Sequence, residues 1–371
     1  MQAFKLIPRI HQFDTFKDFA ESFELGKKDM IITHAFLYEP FMKELGLESS
    51  VIFQEQYGSG EPSDEMMNAM LKDMKKHDFD RIIAVGGGTV IDIAKLFVLK
   101  DVEDVLDAFE KRIPLQKDKE LIIVPTTCGT GSEVTNLSIA EIKSKKTKMG
   151  LGVDEMAADD AVLIPELLEG LPYKFYLTSS IDALIHAVES YVSPKASPIT
   201  QMFSKEAIGL ILEIYMGIHD QGEDYRKERF EDMLLASNYA GIAFGNAGVG
   251  AVHALSYPLG GNYHVPHGEA NYQFFTEVFK VYQEKDPEGA IGEVNELMAE
   301  VIGSTPEKVY EDLEKLLGSL LPKNELKTYG MTEEDVEGFA DSVINTQQRL
   351  LANNYVDLSR DEIRDIYKRL Y

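Results

Sequence analysis

Cysteine is almost absent from this chain of 371 residues. Cys128 stands alone, which excludes intramolecular disulfides and any zinc site built on several thiolates. Basic residues are scarce as well: 37 Lys and Arg face 63 Asp and Glu, for a formal net charge of −26. That excess disfavours nonspecific binding to nucleic acid or anionic membranes and favours solubility; its plain meaning is a solvated acidic surface. Long apolar runs are missing too. The N-terminus, MQAFKLIPRIHQFDTF, lacks the uninterrupted apolar stretch of a signal peptide. The longest apolar segment, AIGLILEIYMGI, is short and carries Glu213, so a packed helix is expected there rather than a membrane span. These absences point to a cytoplasmic protein with neither membrane nor nucleic acid as partner.

What is present divides by pattern near Pro165, and the length itself suggests two domains, 1–164 and 165–371. Before Pro165, short β-rich runs alternate with helical stretches. The runs are AFKLI (3–7), MIIT (30–33), VIFQE (51–55), RIIAV (81–85), LIIV (121–124) and AVLI (161–164). Helical patterns such as SDEMMNAMLKDMKKHD and TVIDIAKLFVL lie between them, which predicts a doubly wound, mainly parallel sheet. LSIAEIKSKKTKMGLGV differs: two alternating runs flank a Lys-rich turn, hence a hairpin. After Pro165 the β signal nearly vanishes. Helices are expected over KEAIGLILEIYMGI, RKERFEDMLLASNYAGIAF, GAIGEVNELMAEVIG, PEKVYEDLEKLLGSLL and EDVEGFADSVINTQQRLLA, so the second domain is read as all-helical.

Four residues carry the strongest chemical signal. Asp182 and His186 stand four apart in SSIDALIHAVESYVS, so on a helix both leave one face. Ile181, Leu184, Ile185 and Val188 around them are apolar at helical spacing, and a carboxylate buried beside such a stripe needs a partner. His253 lies in the apolar stretch GVGAVHALSYPLGG; His267 follows Pro266 and precedes Gly268 in an expected turn. Together they would suit one first-row divalent ion. A hydrogen-bonded Asp–His pair without metal is the plainer reading of the first two residues taken alone.

Two glycine-rich loops belong to the first half. In RIIAVGGGTVIDIAK a buried strand runs into Gly86, Gly87 and Gly88, and a helix starts at Thr89. Such a turn lets backbone approach a pyrophosphate at a helix N-terminus. It matches neither G-x-G-x-x-G nor a P-loop, and a tight turn with no ligand reads equally well. The second loop, PTTCGTGSEVT, offers hydroxyls from Thr126, Thr127, Thr130, Ser132 and Thr135. Two such loops at successive strand ends favour a dinucleotide over a merely polar connection.

Taken in order, GGGTVIDIAK, PTTCGTGSEVT, LTSSIDALIHAVESYVS and AVHALSYPLGGNYHVPHGEAN resemble the iron-containing (group III) alcohol dehydrogenase family over nearly the whole chain. The resemblance implies an N-terminal Rossmann-like dinucleotide-binding domain and an all-α C-terminal domain, as in dehydroquinate synthase-like folds, with the active site in the cleft between. It implies that Asp182, His186, His253 and His267 hold a catalytic divalent ion, iron first and zinc as the alternative, since the ligand types suit both. Gly87, Gly88, Thr89 and Asp92 match the pyrophosphate turn of an NAD site. Thr126, Thr127, Thr130, Ser132 and Val134 match the loop around nicotinamide and ribose, and Lys148 a lysine beside the ribose. The implied reaction interconverts a small primary alcohol and its aldehyde, in a homodimer or larger homo-oligomer.

This sequence departs from the family twice. Many members read HALSHQLGG where it reads HALSYPLGG, so Tyr257 replaces a histidine often assigned to proton relay. A tyrosine can donate a hydrogen bond, but a reference pKa near ~10 makes it a poor shuttle at neutral pH. His264, in YHVPH, is the alternative relay, or simply a surface side chain. Secondly, many members end one strand with Thr-Asp, whose carboxylate accepts ribose hydroxyls and repels a 2′-phosphate. Here the strand ends Thr33-His34, so charge at that position does not exclude NADP; a preference for NAD is expected from pocket shape or from other acidic groups, with measurable NADP turnover. Glycerol dehydrogenase-like or dehydroquinate synthase-like chemistry, and a cofactor-binding relative without activity, are the rival readings.

Overall fold

The computed structural model describes residues 3–145 and 147–371. The chain divides into two compact units, one formed by Leu6–Leu171 and the other by Pro172–Tyr371 with residues 3–5.

In the first unit strands and helices alternate: β1 (Arg9–Gln12), α1 (Phe16–Ser22), β2 (Asp29–Thr33), α2 (Ala35–Phe41), β3 (Ser50–Phe53), α3 (Asp64–Met74), β4 (Arg81–Gly86), α4 (Gly88–Phe97), α5 (Val105–Phe109), β5 (Glu120–Pro125), β6 (Leu137–Ile142), β7 (Thr147–Gly152) and β8 (Asp160–Leu163). Six strands form one sheet in the order β1-β8-β5-β4-β2-β3, parallel throughout. Parallel neighbours need crossovers, and helices on both faces explain why the central strands are apolar without alternation. Met30, Ile32, Ile82, Ala84, Leu121 and Ile123 enter one core with α3, α4 and α5. Their sequence neighbours Ile31, Ile83, Val85, Ile122 and Val124 enter the opposite core with α1 and α2. Strands β6 and β7 form the expected antiparallel hairpin, and Ala140, Ile142 and Leu151 bury its inner face in the first of these cores. Lys146, in its expected turn, lies outside the described residues.

The first strand falls later than the sequence suggests. AFKLI is not a strand; β1 is the polar run Arg9–Gln12. An edge strand needs no apolar alternation, and this one is held by charge. The Arg9 guanidinium donates to both carboxylate oxygens of buried Asp160 at 2.8 and 2.7 Å, and His11 Nε2 lies 2.7 Å from the same group. Phe4 stacks instead on Phe203, ring centroids 5.8 Å apart. At the other end of the unit, Leu167 in the single turn Pro165–Leu168 still packs in the α1/α2 core.

The second unit is helical: α6 (Tyr173–Val192), α7 (Pro198–Gln221), α8 (Phe230–Ala247), α9 (Ala251–Tyr263), α10 (His267–Lys285), α11 (Ala290–Ile302), α12 (Val309–Leu320), α13 (Glu333–Thr346), α14 (Gln348–Leu351) and α15 (Arg360–Leu370). Helix α6 packs against α7, α8 and α10, so nearly all its surface is buried and no polar face remains. A capping box between Ser197 and Thr200, with Pro198 in the first turn, starts α7. Two helical expectations change at their ends. Residues Glu223–Arg229 form a 3₁₀ segment before α8, and the last long pattern breaks at Gln347 between α13 and α14. Among the described residues no helix is long and apolar enough to cross a membrane.

Candidate metal centre and glycine turn

Three helices of the second unit converge on one point. Asp182 and His186 project from α6, His253 from α9 and His267 from α10. His267 is not in a turn, as the Pro-His-Gly sequence suggests; Pro266 caps α10 and His267 is its first residue. One ligand atom from each residue lies within 4.8 Å of the others. His186 Nε2 and His253 Nε2 are 3.0 Å apart, and Asp182 carboxylate oxygens lie 4.0, 3.8 and 3.8 Å from the Nε2 atoms of His186, His253 and His267. Ligand bonds of ~2.1 Å in a tetrahedral shell would set such atoms about 3.4 Å apart, so the set is close to coordination size. Facing imidazole nitrogens and a buried carboxylate cannot all present lone pairs to each other without a cation. The donor set fits a divalent metal.

Electrostatics agrees. Burial alone would lift the Asp182 carboxyl, but the three imidazoles and Asn271 hold it below the usual range. Burial would lower His253, yet Glu189 and Asp182 outweigh it and raise the ring. Positive charge is wanted at this point.

Two residues missed by sequence reading orient the candidate ligands. Glu189 is 2 % exposed; its Oε2 lies 2.6 Å from His253 Nδ1 and its Oε1 accepts the Val252 N–H at 2.8 Å. One carboxylate therefore caps the first turn of α9 and fixes the His253 proton on Nδ1, turning the Nε2 lone pair toward the cluster. Asn271, one turn beyond His267, donates from Nδ2 to Asp182 Oδ1 at 2.7 Å and sits 3.1 Å from His267 Nε2. Both signals were in the sequence: Glu189 is seven residues after Asp182, and Asn271 four after His267, each on its ligand's face. Phe244 stacks on His186 at 4.3 Å. Gly268 lets the helices meet, since a Cβ there would lie 2.4 Å from the Thr178 carbonyl oxygen on α6. The Tyr257 ring lies 6.5 Å from that of His267. His264, left-handed at φ 55°, closes α9 with its side chain exposed.

In the first unit β4 ends at Gly86, Gly87 caps α4, and Gly88 is its first residue. Strand β5 is β4's neighbour, with Pro125 opposite Gly86, so the TTCGTGSEVT loop starts beside the glycine turn. Side chains at Gly87 and Gly88 would crowd it: their Cβ atoms would lie 3.3 Å from Thr127 Cγ2 and 3.2 Å from Thr130 Cγ2. Thr126 N–H donates to the Gly86 carbonyl at 3.1 Å, Thr89 Oγ1 to that of Gly60 at 3.0 Å, and Ser132 N–H to Thr130 Oγ1 at 3.3 Å. Asp92 and Ser132 are tied to each other: Asp92 accepts from Ser132 Oγ at 2.9 Å and from the Ile139 N–H at 3.0 Å. Lys95, fully buried, donates to Ser132 Oγ at 2.6 Å, Thr135 Oγ1 at 3.0 Å and the Leu137 carbonyl at 2.9 Å. Burial lowers Lys95 to about 8. This buried lysine, one turn past Asp92, was also missed; it pins the loop that carries the hydroxyls. Val134 ends a short 3₁₀ turn, and Lys148 on β7 pairs with Glu61. His34 caps α2, where its Nδ1 meets Glu55 Oε2 at 3.0 Å.

A doubly wound sheet with a glycine turn, and a helical unit with an Asp-His-His-His cluster, define a metal-dependent dehydrogenase architecture. Residues 9–165 match the model of the iron-containing alcohol dehydrogenases, and residues 176–371 that of the C-terminal part of the Fe-containing alcohol dehydrogenase family. The chain is 58% identical over 371 residues to a 4-hydroxybutyrate dehydrogenase of Clostridium kluyveri, with 100% of both chains covered. It is 33% identical to long-chain-alcohol dehydrogenase 1 of Geobacillus thermodenitrificans, covering 94% of this chain and 90% of that one. A sulfoacetaldehyde reductase of Bifidobacterium kashiwanohense, solved in complex with NAD+, superposes with a TM-score of 0.87 at 23% identity over 99% and 98% of the chains. The chain belongs to the iron-containing alcohol dehydrogenase family. The expected family and fold class are borne out.

Proposed function

We propose that this protein is an NAD-linked oxidoreductase that interconverts 4-hydroxybutyrate and succinate semialdehyde at a divalent iron centre. The observation that carries the reading is the convergence of Asp182, His186, His253 and His267 in a chain 58% identical, end to end, to a 4-hydroxybutyrate dehydrogenase. The four residues would hold the ion. Gly87, Gly88 and Thr89 would receive the pyrophosphate of NAD, Asp92 and Ser132 would brace the turn, and Thr126, Thr127, Thr130, Val134 and Lys148 would line the nicotinamide–ribose part. When bound, the ion supplies Lewis acidity toward the substrate oxygen and the dinucleotide supplies the hydride acceptor. In the oxidative direction the alcohol would give up a hydride from its carbinol carbon to the dinucleotide that the glycine turn would hold, and its hydroxyl proton to solvent. Glu189 keeps His253 in the tautomer that offers Nε2, and Asn271 holds the Asp182 carboxylate in place. Tyr257, whose ring lies 6.5 Å from that of His267, and exposed His264 are the two candidates for relaying the departing proton. A homodimer or larger homo-oligomer, in the cytoplasm, completes the proposal.

Initial rates with succinate semialdehyde, butanal, 3-hydroxypropanal and dihydroxyacetone, with NADH and NADPH in parallel, test it. Succinate semialdehyde with NADH should give the highest kcat/KM. A higher value for one of the other carbonyl compounds would overturn the substrate assignment, and a higher value with NADPH the coenzyme assignment.

A further inference from the structure

Sequence reading leaves the end of β2 without a carboxylate, because His34 follows Thr33 there. The fold brings one in from the next strand. β2 and β3 run parallel with Thr33 opposite Phe53, and Glu55 lies two residues past Phe53. Its Oε2 meets His34 Nδ1 at 3.0 Å while its Oε1 accepts the Ala35 N–H at 2.8 Å. The carboxylate therefore sits over the C-terminal end of β2. That position matters because β2 is the strand beside β4, which delivers the glycine turn. Ile32 pairs with Ala84, and His34 and Gly86 each stand two residues beyond that pair. The Phe36 ring stacks on that of His34, with centroids 5.1 Å apart.

The Glu55 side chain is 41% exposed, so it is held yet open to a ligand. Burial works against its charge, but the Ala35 N–H and the His34 ring hold the carboxyl below the usual range. In doubly wound sheets, a dinucleotide whose pyrophosphate rests on the glycine turn reaches the end of the neighbouring strand with its adenosine ribose. A carboxylate there accepts the ribose hydroxyls and repels a 2′-phosphate. We propose that Glu55, positioned by His34 and the Ala35 N–H, is the residue that selects NAD(H) over NADP(H). The proposal rests on the reading that the Gly86–Gly88 turn holds a dinucleotide.

Equilibrium binding tests it without turnover, by titrating NADH and NADPH against wild type, Glu55→Gln and Gly88→Val and following nicotinamide fluorescence. Glutamine keeps an oxygen for the Ala35 N–H but removes the charge. Wild type should bind NADH more tightly than NADPH, and Glu55→Gln should move the ratio of Kd values toward NADPH by about 10-fold or more. Should Glu55→Gln melt below wild type, Glu55→Ser is read by the same ratio. If wild type binds NADH, Gly88→Val does not, and the ratio in the Glu55 variants stays within twofold of wild type, the proposal is overturned and the dinucleotide reading stands. If wild type binds neither nucleotide, both are overturned.

Discussion

Replacing Glu189 by glutamine probes the centre through a residue that does not ligate. The carboxylate serves two donors at once, His253 Nδ1 at 2.6 Å and the Val252 N–H at 2.8 Å, in a site only 2 % exposed. In Glu189→Gln the amide satisfies one of them. With its oxygen on Val252, its NH2 confronts the Nδ1–H, and the ring must move its proton to Nε2, where it blocks coordination. With the amide turned, the Val252 N–H is left unpaired and buried, at a cost of about 1–3 kcal/mol. Loss of such an orienting carboxylate weakens metal binding by roughly 10- to 100-fold, or about 1.4–2.7 kcal/mol. Anaerobic competition for Fe²⁺ and Zn²⁺ against a chelator of known affinity measures this, with thermal melting of the metal-free protein as the check on folding. A metal Kd within twofold of wild type would refute the role assigned to Glu189.

Three further outcomes are expected. His186→Ala should lose bound metal and activity together while the circular dichroism spectrum stays native; full activity after metal depletion would contradict the ligand set. Gly88→Val should block NADH binding, because its Cβ alone falls 3.2 Å from Thr130 Cγ2, while metal content stays unchanged; NADH affinity equal to wild type would remove the turn from the cofactor site. Lys95, lowered by burial to about 8 against 10.5 for an unburied lysine, carries a charge penalty below pH 8 that fades as pH rises. Between pH 8 and 9.5 wild type should therefore gain stability relative to Lys95→Met, on the order of 1–2 kcal/mol; urea titrations at both pH values check this, and a constant difference would show that Lys95 titrates normally.

The sheet was legible because β2, β4, β5 and β8 are buried on both faces and so read as continuous apolar runs. β1 was not, since its stability comes from Arg9 and His11 on Asp160, a contact 149 to 151 residues distant in sequence. Helix existence followed from periodicity, whereas helix ends did not. Nothing local announces that α10 starts at His267, because Pro266 and Gly268 are turn formers as much as they are helix-start and close-packing residues. The four candidate ligands could be picked out by residue type and motif. Glu189, Asn271 and Lys95 act through bonds to other side chains and look like ordinary helix residues in sequence. Glu55 was hidden for a different reason: its meaning depends on β3 lying beside β2, which only the strand order reveals.

The most direct test is the anaerobic rate of NADH oxidation by succinate semialdehyde, measured on chelator-stripped protein before and after Fe²⁺ is restored. Restored protein should turn over at least ~100-fold faster than stripped protein, as expected where a metal stabilises charge on the substrate oxygen. Equal rates in the two preparations, or no NADH oxidation in either, would contradict a metal-dependent dehydrogenase at Asp182, His186, His253 and His267.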